Sequence, residues 1–368
     1  MNIPLIDLRA QYLSVDAEIQ NAVRTVLHSG AYVSGPEIRS FEQEMAQFTQ
    51  SQYAISTANG TDSLILALEA CGVGAGDEVI TSPYTFFATA EAIARVGAVP
   101  VFADIDRRTY NLSPEHVERK VTSRTKAIIP VHIFGQPAEM DAFLDIARRR
   151  HLYIIEDACQ ALGATYKGRP VGSIGHIGCV SFFPTKNLGG YGDGGIVLTN
   201  DEDMARKVRL LASHGSTRKY YHDAVGYNSR LDELQAAILR VKLGKLNEWN
   251  KLRREKAEYY SGQLLAPGIA LPHSINDIVH VYHIYMIEFK EREALSSYLN
   301  EAGIATGHYY PCPLHLQKAF VDLGYKSGDL PAAEAASERA IALPMFPELT
   351  MEQQQYIVSR INKFIESQ

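Results

Sequence analysis

Two periodicities take turns along roughly the first 250 residues. Short apolar runs such as YAIST, EVIT, PVF, KAII, LYII and GIVLT are separated by longer stretches whose apolar positions recur every three or four residues. Residues 37–48 are typical of the second kind. Ile38, Phe41, Met45 and Phe48 are spaced three, four and three apart, which predicts a helix with one buried face. Further helices are expected from near Thr61, over 114–120, over 138–149 and over 202–212. A long one is marked by Leu231, Leu234, Ile238 and Val241 and continues past Trp249. Strands that alternate with helices in this way make βαβ units and a largely parallel sheet. Beyond residue 250 the order changes to helix, strand HVYHIYMIEF, helix EREALSSYLNEAG, strand IATGHYY and two last helices. The expectation is an α/β domain over 1–248 and a smaller α+β domain over 249–368.

Composition narrows the function. With 368 residues, 46% of them hydrophobic, the chain can bury a large core and support two domains. A net charge of −6 and the lack of any five-residue basic run argue against nucleic acid as a partner. The opening MNIPLIDLRAQY has neither a basic n-region nor an apolar h-region, and no stretch of 18 apolar residues occurs, so a cytoplasmic protein away from membranes is expected. Cys71, Cys159, Cys179 and Cys312 show no CxxC spacing and read as free core thiols. The 12 histidines form no HExxH or comparable pattern, so no metal is expected.

The chemistry concentrates in SFFPTKNLGGYGDGG, residues 181–195. An apolar strand stops at Pro184, offers Lys186 and enters a glycine-rich turn. Desolvating an ammonium costs several kcal/mol, and a lysine whose charge is partly suppressed becomes an amine nucleophile able to condense with an aldehyde. Asp157 ends the strand of LYIIEDACQ, where a carboxylate would keep a pyridine nitrogen protonated, as pyridoxal phosphate chemistry requires. Gly60 and Thr61 open a helix after an Asn-Gly turn. Such helix starts present free N–H groups to a phosphate, although Thr61 as a simple cap is the competing reading. Tyr84, Phe86 and Phe87 follow another strand, and one of these rings could stack on a flat heteroaromatic ring. All these positions lie at the carboxyl ends of strands, where ligands of parallel sheets gather. The GVGAG segment at 72–76 follows a helix and precedes a strand, the wrong context for dinucleotide binding, and reads as a helix-ending loop. The loop from Ser213 carries Tyr220, Tyr221 and His222 among basic residues and could grip phosphate and sugar groups.

With these residues in view, the sequence resembles the DegT/DnrJ-type family of pyridoxal-phosphate-dependent sugar aminotransferases. The motifs ANGTDSL, DEVITSPYTFFATAEAI, IEDACQALGA, SFFPTKNLGGYGDGG and GYNSRLDELQAAIL occur in that order. The resemblance implies fold type I of the aspartate aminotransferases, with a mostly parallel seven-stranded sheet between helices. It implies Lys186 as the residue that links covalently to the cofactor and Asp157 as the partner of the pyridine nitrogen. Gln160 falls beside the cofactor's phenolic oxygen, Phe86 on its ring face, and Gly60, Thr61 and Ser181 around its phosphate. Asn228 matches a residue supplied to the phosphate by the neighbouring subunit, which implies a homodimer with shared sites. Arg230, Tyr220, Tyr221, His222, Tyr309, Tyr310 and His315 are the expected substrate contacts. GDGG and YNSRLD are more like enzymes acting on C3 ketones than on C4 ketones. The reaction implied is amino transfer from L-glutamate to a nucleotide-linked keto-deoxysugar. The alternatives are a C4 keto-sugar or keto-cyclitol aminotransferase, and a regulator that binds the cofactor without turnover. One departure stands out: Tyr309-Tyr310-Pro311 replaces the His-Tyr-Pro of many relatives.

Overall fold

A computed structural model describes residues 1–367. The strands, in chain order, are β1 (Tyr53–Thr57), β2 (Glu78–Thr81), β3 (Val99–Phe102), β4 (Thr125–Ile129), β5 (Tyr153–Asp157), β6 (Thr165–Tyr166), β7 (Arg169–Pro170), β8 (Ile177–Ser181), β9 (Gly195–Thr199), β10 (Ile278–Val279), β11 (Tyr285–Glu288) and β12 (Ala340–Leu343). Seven of them form one sheet in the order β1-β9-β8-β5-β4-β2-β3. Only β9 runs against the rest, pairing antiparallel with both β1 and β8. The other six therefore deliver their carboxyl ends to one edge.

Helices cover both faces of this sheet. Gly60–Ala70 and Glu202–Ala212 pack on one side, with Leu64, Leu68, Val197 and Val208 almost fully buried. Pro36–Thr49 and the first half of the 31-residue helix Glu233–Gln263 pack on the other, through Phe41, Met45, Leu239 and Leu246. Met140–Arg150 closes the far end over Ile128 and Ile154. A strand covered on both faces has no polar side, which is why Ile154 and Ile155 are adjacent and both buried. Each such side chain contributes about 1.5–3 kcal/mol.

The long helix runs unbroken past residue 248 and carries Ala257 and Tyr260 into a second core with Tyr285, Ile287, Leu295, Ile341 and Ile361. There β11 and β12 pair antiparallel. Ile3 joins this core too: its N–H donates to the Gly303 carbonyl at 2.8 Å, so the N-terminus packs with the C-terminal elements.

Two expected strands come out differently. HVYHIYMIEF pairs only over β11. His280 to His283 form an irregular buried wedge in which the His280 and Tyr282 rings stack at 3.8 Å, with Tyr282 at φ +43°. IATGHYY is not a strand; it makes only the single bridges Ile304–Ile3 and Gly307–Ala342 and then turns into the cavity described below. Outside β11, apolar residues of both segments, such as Val281 and Ile304, pack into the cores without ladder pairing. The small sheet β10-β6-β7 was not anticipated, because two-residue strands leave no periodicity to read.

Candidate active site

Where the carboxyl ends of β1, β2, β5 and β8 meet, they open on a cavity of about 920 Å3. Its wall includes Asn59, Gly60, Thr61, Phe86, Asp157, Gln160, Ser181, Lys186, His283, Tyr309 and Tyr310. Seven of the residues singled out as cofactor contacts therefore share one space.

One corner of the cavity is shaped by the cap of the helix Gly60–Ala70. Asn59 caps it, its side chain accepting from Asp62 N at 2.8 Å, so Thr61 is not the cap. The N–H groups of Gly60 and Thr61 make no hydrogen bond to any described residue and stay available at the positive end of the helix. Gly60 must lack a side chain: a Cβ there would lie 2.7 Å from Ser181 Cβ and 3.1 Å from Cys159 Sγ. Gly195 on β9 is under the same constraint, since a Cβ would collide with the Asn59 carbonyl.

Asp157 is held from both sides. Thr89 Oγ1 donates to Oδ2 at 2.8 Å and Cys159 N to Oδ1 at 3.2 Å, which aims a 5% exposed carboxylate into the cavity. Thr89 is a residue that sequence reasoning passed over; it sits one helical turn after Thr85, 3.1 Å from it between hydroxyl oxygens. The adjoining Glu156 points the opposite way, as alternation along a strand demands. It accepts from Gly172, Ile174 and Gly175 N–H groups and faces His132 Nε2 at 2.9 Å, a wholly structural node.

Lys186 lies on the turn after β8, half-buried, with its amine in no hydrogen bond to a described residue. Burial pulls its ammonium below the ordinary lysine range, opposed by the nearby Cys159 and Asp157. Burial raises the Cys159 thiol well above its usual value, so it is no competing nucleophile. Phe86 is 58% exposed, an unusual state for a phenylalanine lining a cavity, and leaves a ring face free. Gln160 accepts from Phe134 N at 2.8 Å and donates through Nε2 to Tyr310 Oη at 3.0 Å. Burial holds the Tyr310 phenol protonated far above the neutral range.

The remaining expected contacts lie elsewhere within this chain. Asn228, Arg230, Tyr220, Tyr221 and His222 are exposed on the 213–230 loop and do not line the cavity; Tyr220 is 82% exposed. His315 is buried outside it, with Nε2 3.0 Å from Glu334 Oε1. That arrangement anchors the loop ahead of helix Pro331–Arg339, since Glu334 also accepts from the Gly328 and Leu330 N–H groups. His283, Asn59, Leu5 and Ile6 line the cavity and were not foreseen. Only an Asn-Gly before a helix offered a signal for Asn59; distance in sequence hid the others. Among the described residues no cluster of His, Cys, Asp and Glu suits a metal ion.

Comparison with known proteins gives a consistent picture. The model of the DegT/DnrJ/EryC1/StrS aminotransferase family matches residues 13–362. The chain is 50% identical to a "pleiotropic regulatory protein" of Geobacillus stearothermophilus, over 99% of both chains. It is 45% identical to a UDP-N-acetyl-3-dehydro-alpha-D-glucosamine 3-aminotransferase of Acidithiobacillus ferrooxidans, over 95% of each. Its fold superposes on the crystal structure of S. venezuelae DesV, solved in complex with a ketimine intermediate, with a TM-score of 0.97 and 41% identity over 99% of both chains.

Proposed function

The chain belongs to the DegT/DnrJ/EryC1/StrS aminotransferase family, and on that premise we propose that it is a pyridoxal-phosphate-dependent aminotransferase. In this reading it moves the amino group of L-glutamate to C3 of a nucleotide-linked keto-deoxysugar. The observation that carries the reading is the meeting of Lys186, Asp157 and a side-chain-free Gly60 around one cavity. A phosphate-bearing pyridine fits these residues. Gly60 and Thr61 offer free N–H groups beside the Ser181 hydroxyl, Phe86 offers an open face, and Asp157 and Lys186 supply a carboxylate and an unpaired amine.

When bound, the cofactor supplies an electrophilic carbon and an electron-withdrawing ring. Asp157 would hold the proton on the ring nitrogen, with Thr89 and the Cys159 N–H fixing the carboxylate. Lys186 has two tasks. Its amine, made more available by burial, would bond the cofactor covalently; once released, its Nζ would take the proton from the donor's Cα and return one to the product. Phe86 would keep the ring flat against the wall, and Tyr310 would donate its phenolic proton to a substrate oxygen, since Gln160 Nε2 already occupies a lone pair.

The C3 position rests on GDGG and YNSRLD and on the 3-aminotransferase relative. A homodimer belongs to the proposal as well, with Asn228, Arg230 and the Tyr220 to His222 segment serving the partner's cavity; their exposure and absence from their own chain's cavity support it. So does the division into a cofactor-binding unit over 1–248 and a smaller unit over 249–368, supported by the two cores that share the long helix. Among the described residues no helix is long and apolar enough to cross a membrane, and all four cysteines are free, which supports a reducing, cytoplasmic setting.

The name of the Geobacillus relative keeps a regulatory reading in view. One experiment separates the two. Protein loaded with pyridoxal phosphate and mixed with L-glutamate should convert the cofactor to its amine form, followed by absorbance, and Lys186→Ala should not convert. The aminated protein should then pass its amine to a 3-keto in preference to a 4-keto nucleotide sugar. A loaded parent that no amino donor alters would sink the aminotransferase reading and favour a regulator.

A further inference from the structure

The N-terminal segment closes one side of the cavity, and its backbone ties it to the second core. The Ile3 N–H donates to the Gly303 carbonyl at 2.8 Å, and the Ile3 carbonyl accepts from Ala305 N at 3.0 Å. The Leu5 carbonyl accepts from Met345 N at 3.3 Å. Leu5 is thereby fixed between two distant segments, half-buried and lining the cavity. Its side chain shares one space with Tyr309. Gly307 is bridged to Ala342, with N–H to carbonyl bonds of 3.2 and 2.7 Å in the two directions. A Cβ at Gly307 would lie 2.7 Å from Tyr309 Cε2 and 3.0 Å from Leu5 Cδ2, so both side chains rest on the bare glycine. Together with Ile284, Tyr310 and Ala342 they belong to one hydrophobic cluster.

Ring-to-ring steps place this patch relative to Phe86. The Tyr310 centroid lies 6.4 Å from that of Phe86 and 5.9 Å from that of Tyr309, so the patch begins two rings away from the face that Phe86 offers. The cavity is also divided by charge. Asp62, Glu91, Asp157, Asp193 and Lys186 all come from the strand-end side. Among the described residues, the parts of the wall supplied by the N-terminal segment and by 281–345 include no aspartate, glutamate, lysine or arginine. At about 920 Å3 the cavity is near the upper end of the roughly 300–1,000 Å3 usual for ligand sites, which leaves room for a sugar beside a cofactor. With C3 of a hexose at Lys186 and C1 tied to its nucleotide, the carbon branch on C5 is the part left for this wall. Apolar side chains favour a methyl there, because a buried hydroxyl without a partner is costly and a carboxylate far more so.

We propose that Leu5, packed with Tyr309 over Gly307, is a specificity-determining residue that seats the methyl group of a 6-deoxy sugar and disfavours a hydroxymethyl or carboxylate in its place. The role rests on the aminotransferase reading and narrows its substrate class.

The test measures binding, not turnover. Protein loaded directly with pyridoxamine phosphate needs no amino donor, so the outcome is separate from that of the glutamate experiment above. The probes are 6-deoxyglucose, glucose and glucuronic acid, each linked to dTDP and to UDP. All carry a 3-hydroxyl in place of the ketone and so cannot react, and within one nucleotide they differ only in the branch on C5. By titration calorimetry the 6-deoxy form should bind about tenfold more tightly than the glucose form, and the glucuronic form more weakly still. Leu5→Asn, of similar size but able to pair with a hydroxyl, should bring the first two forms close to parity. Gly307→Ala should narrow the same ratio without altering Leu5, because the new methyl displaces Leu5 and Tyr309. A merely structural role for Leu5 would weaken all three sugars by one factor and leave their ratios as in the parent. A parent that binds the glucose or glucuronic form as tightly as the 6-deoxy form overturns the proposal, as does a folded Leu5→Asn protein that keeps the parental ratio. Binding of none of the sugars removes the nucleotide-sugar reading and this role with it.

Discussion

Lys242 is the most exacting test of the energetics. It is wholly buried on the long helix behind the glycine turn, forms no ion pair with a described residue, and donates to the Gly189 carbonyl. Its ammonium lies 4.8 Å from the Tyr191 ring centroid and 6.0 Å from that of Trp249. Burial lowers it from the ordinary 10.5 to about 8, with the distant Glu348 opposing. At about 1.36 kcal/mol per pH unit, the drop corresponds to roughly 3 kcal/mol of destabilisation wherever the amine is charged. The direction follows from proton binding. Between about 8 and 10.5 the unfolded chain holds the proton and the folded chain does not, so this residue makes stability rise with pH across that window. Below it the full cost is present; above it the cost is gone. Lys242→Met removes the titration and, with it, one hydrogen bond worth about 1 kcal/mol at any pH. Urea unfolding of parent and variant, followed through the fluorescence of Trp249, the one tryptophan, should give a difference that moves by about 3 kcal/mol in the parent's favour from about pH 7 to 10.5. Parallel stability curves over that range would refute the assignment of an unpaired buried cation.

Three further outcomes follow from the geometry. Gly60→Ala should release pyridoxal phosphate at least about tenfold more readily in equilibrium dialysis, and adding Ser181→Gly should recover part of the loss, because the new methyl meets Ser181 Cβ at 2.7 Å. Thr89→Val preserves shape but strips a donor from Asp157 Oδ2; a charge-assisted bond of about 1.5–3 kcal/mol predicts half-transamination slowed roughly 10- to 100-fold with the thermal midpoint little changed. Glu233, 1% exposed, accepts from the Gly35, Glu37 and Ile38 N–H groups and so holds the start of helix Pro36–Thr49. Glu233→Ala should cost about 2–4 kcal/mol in urea unfolding, and Glu233→Gln less.

Much of this molecule is visible in the one-dimensional pattern. A strand buried on both faces is apolar along most of its length, so the polar residues toward its end stand out. Asp157 and Ser181 are each the last residue of their strand, and Lys186 follows in the turn after β8. Because six strands run in the same direction, strand-end residues far apart in sequence were bound to gather along one edge. The helix spacing of Ile38, Phe41 and Met45 likewise needs no third dimension, since burial of one face imposes it. Tertiary structure decided what depends on contacts between distant segments. Nothing in HVYHIYMIEF distinguishes a paired strand from a wedge that brings His283 to Asn187, and no local signal shows that Thr89 will reach Asp157 or that Glu233 will cap a helix almost 200 residues earlier. Hydrophobic period is set by each residue's own exposure and is therefore written locally. A hydrogen bond's partner, and with it the protonation and tautomer of a buried side chain, is set by whichever donor or acceptor the folded chain brings within about 3 Å.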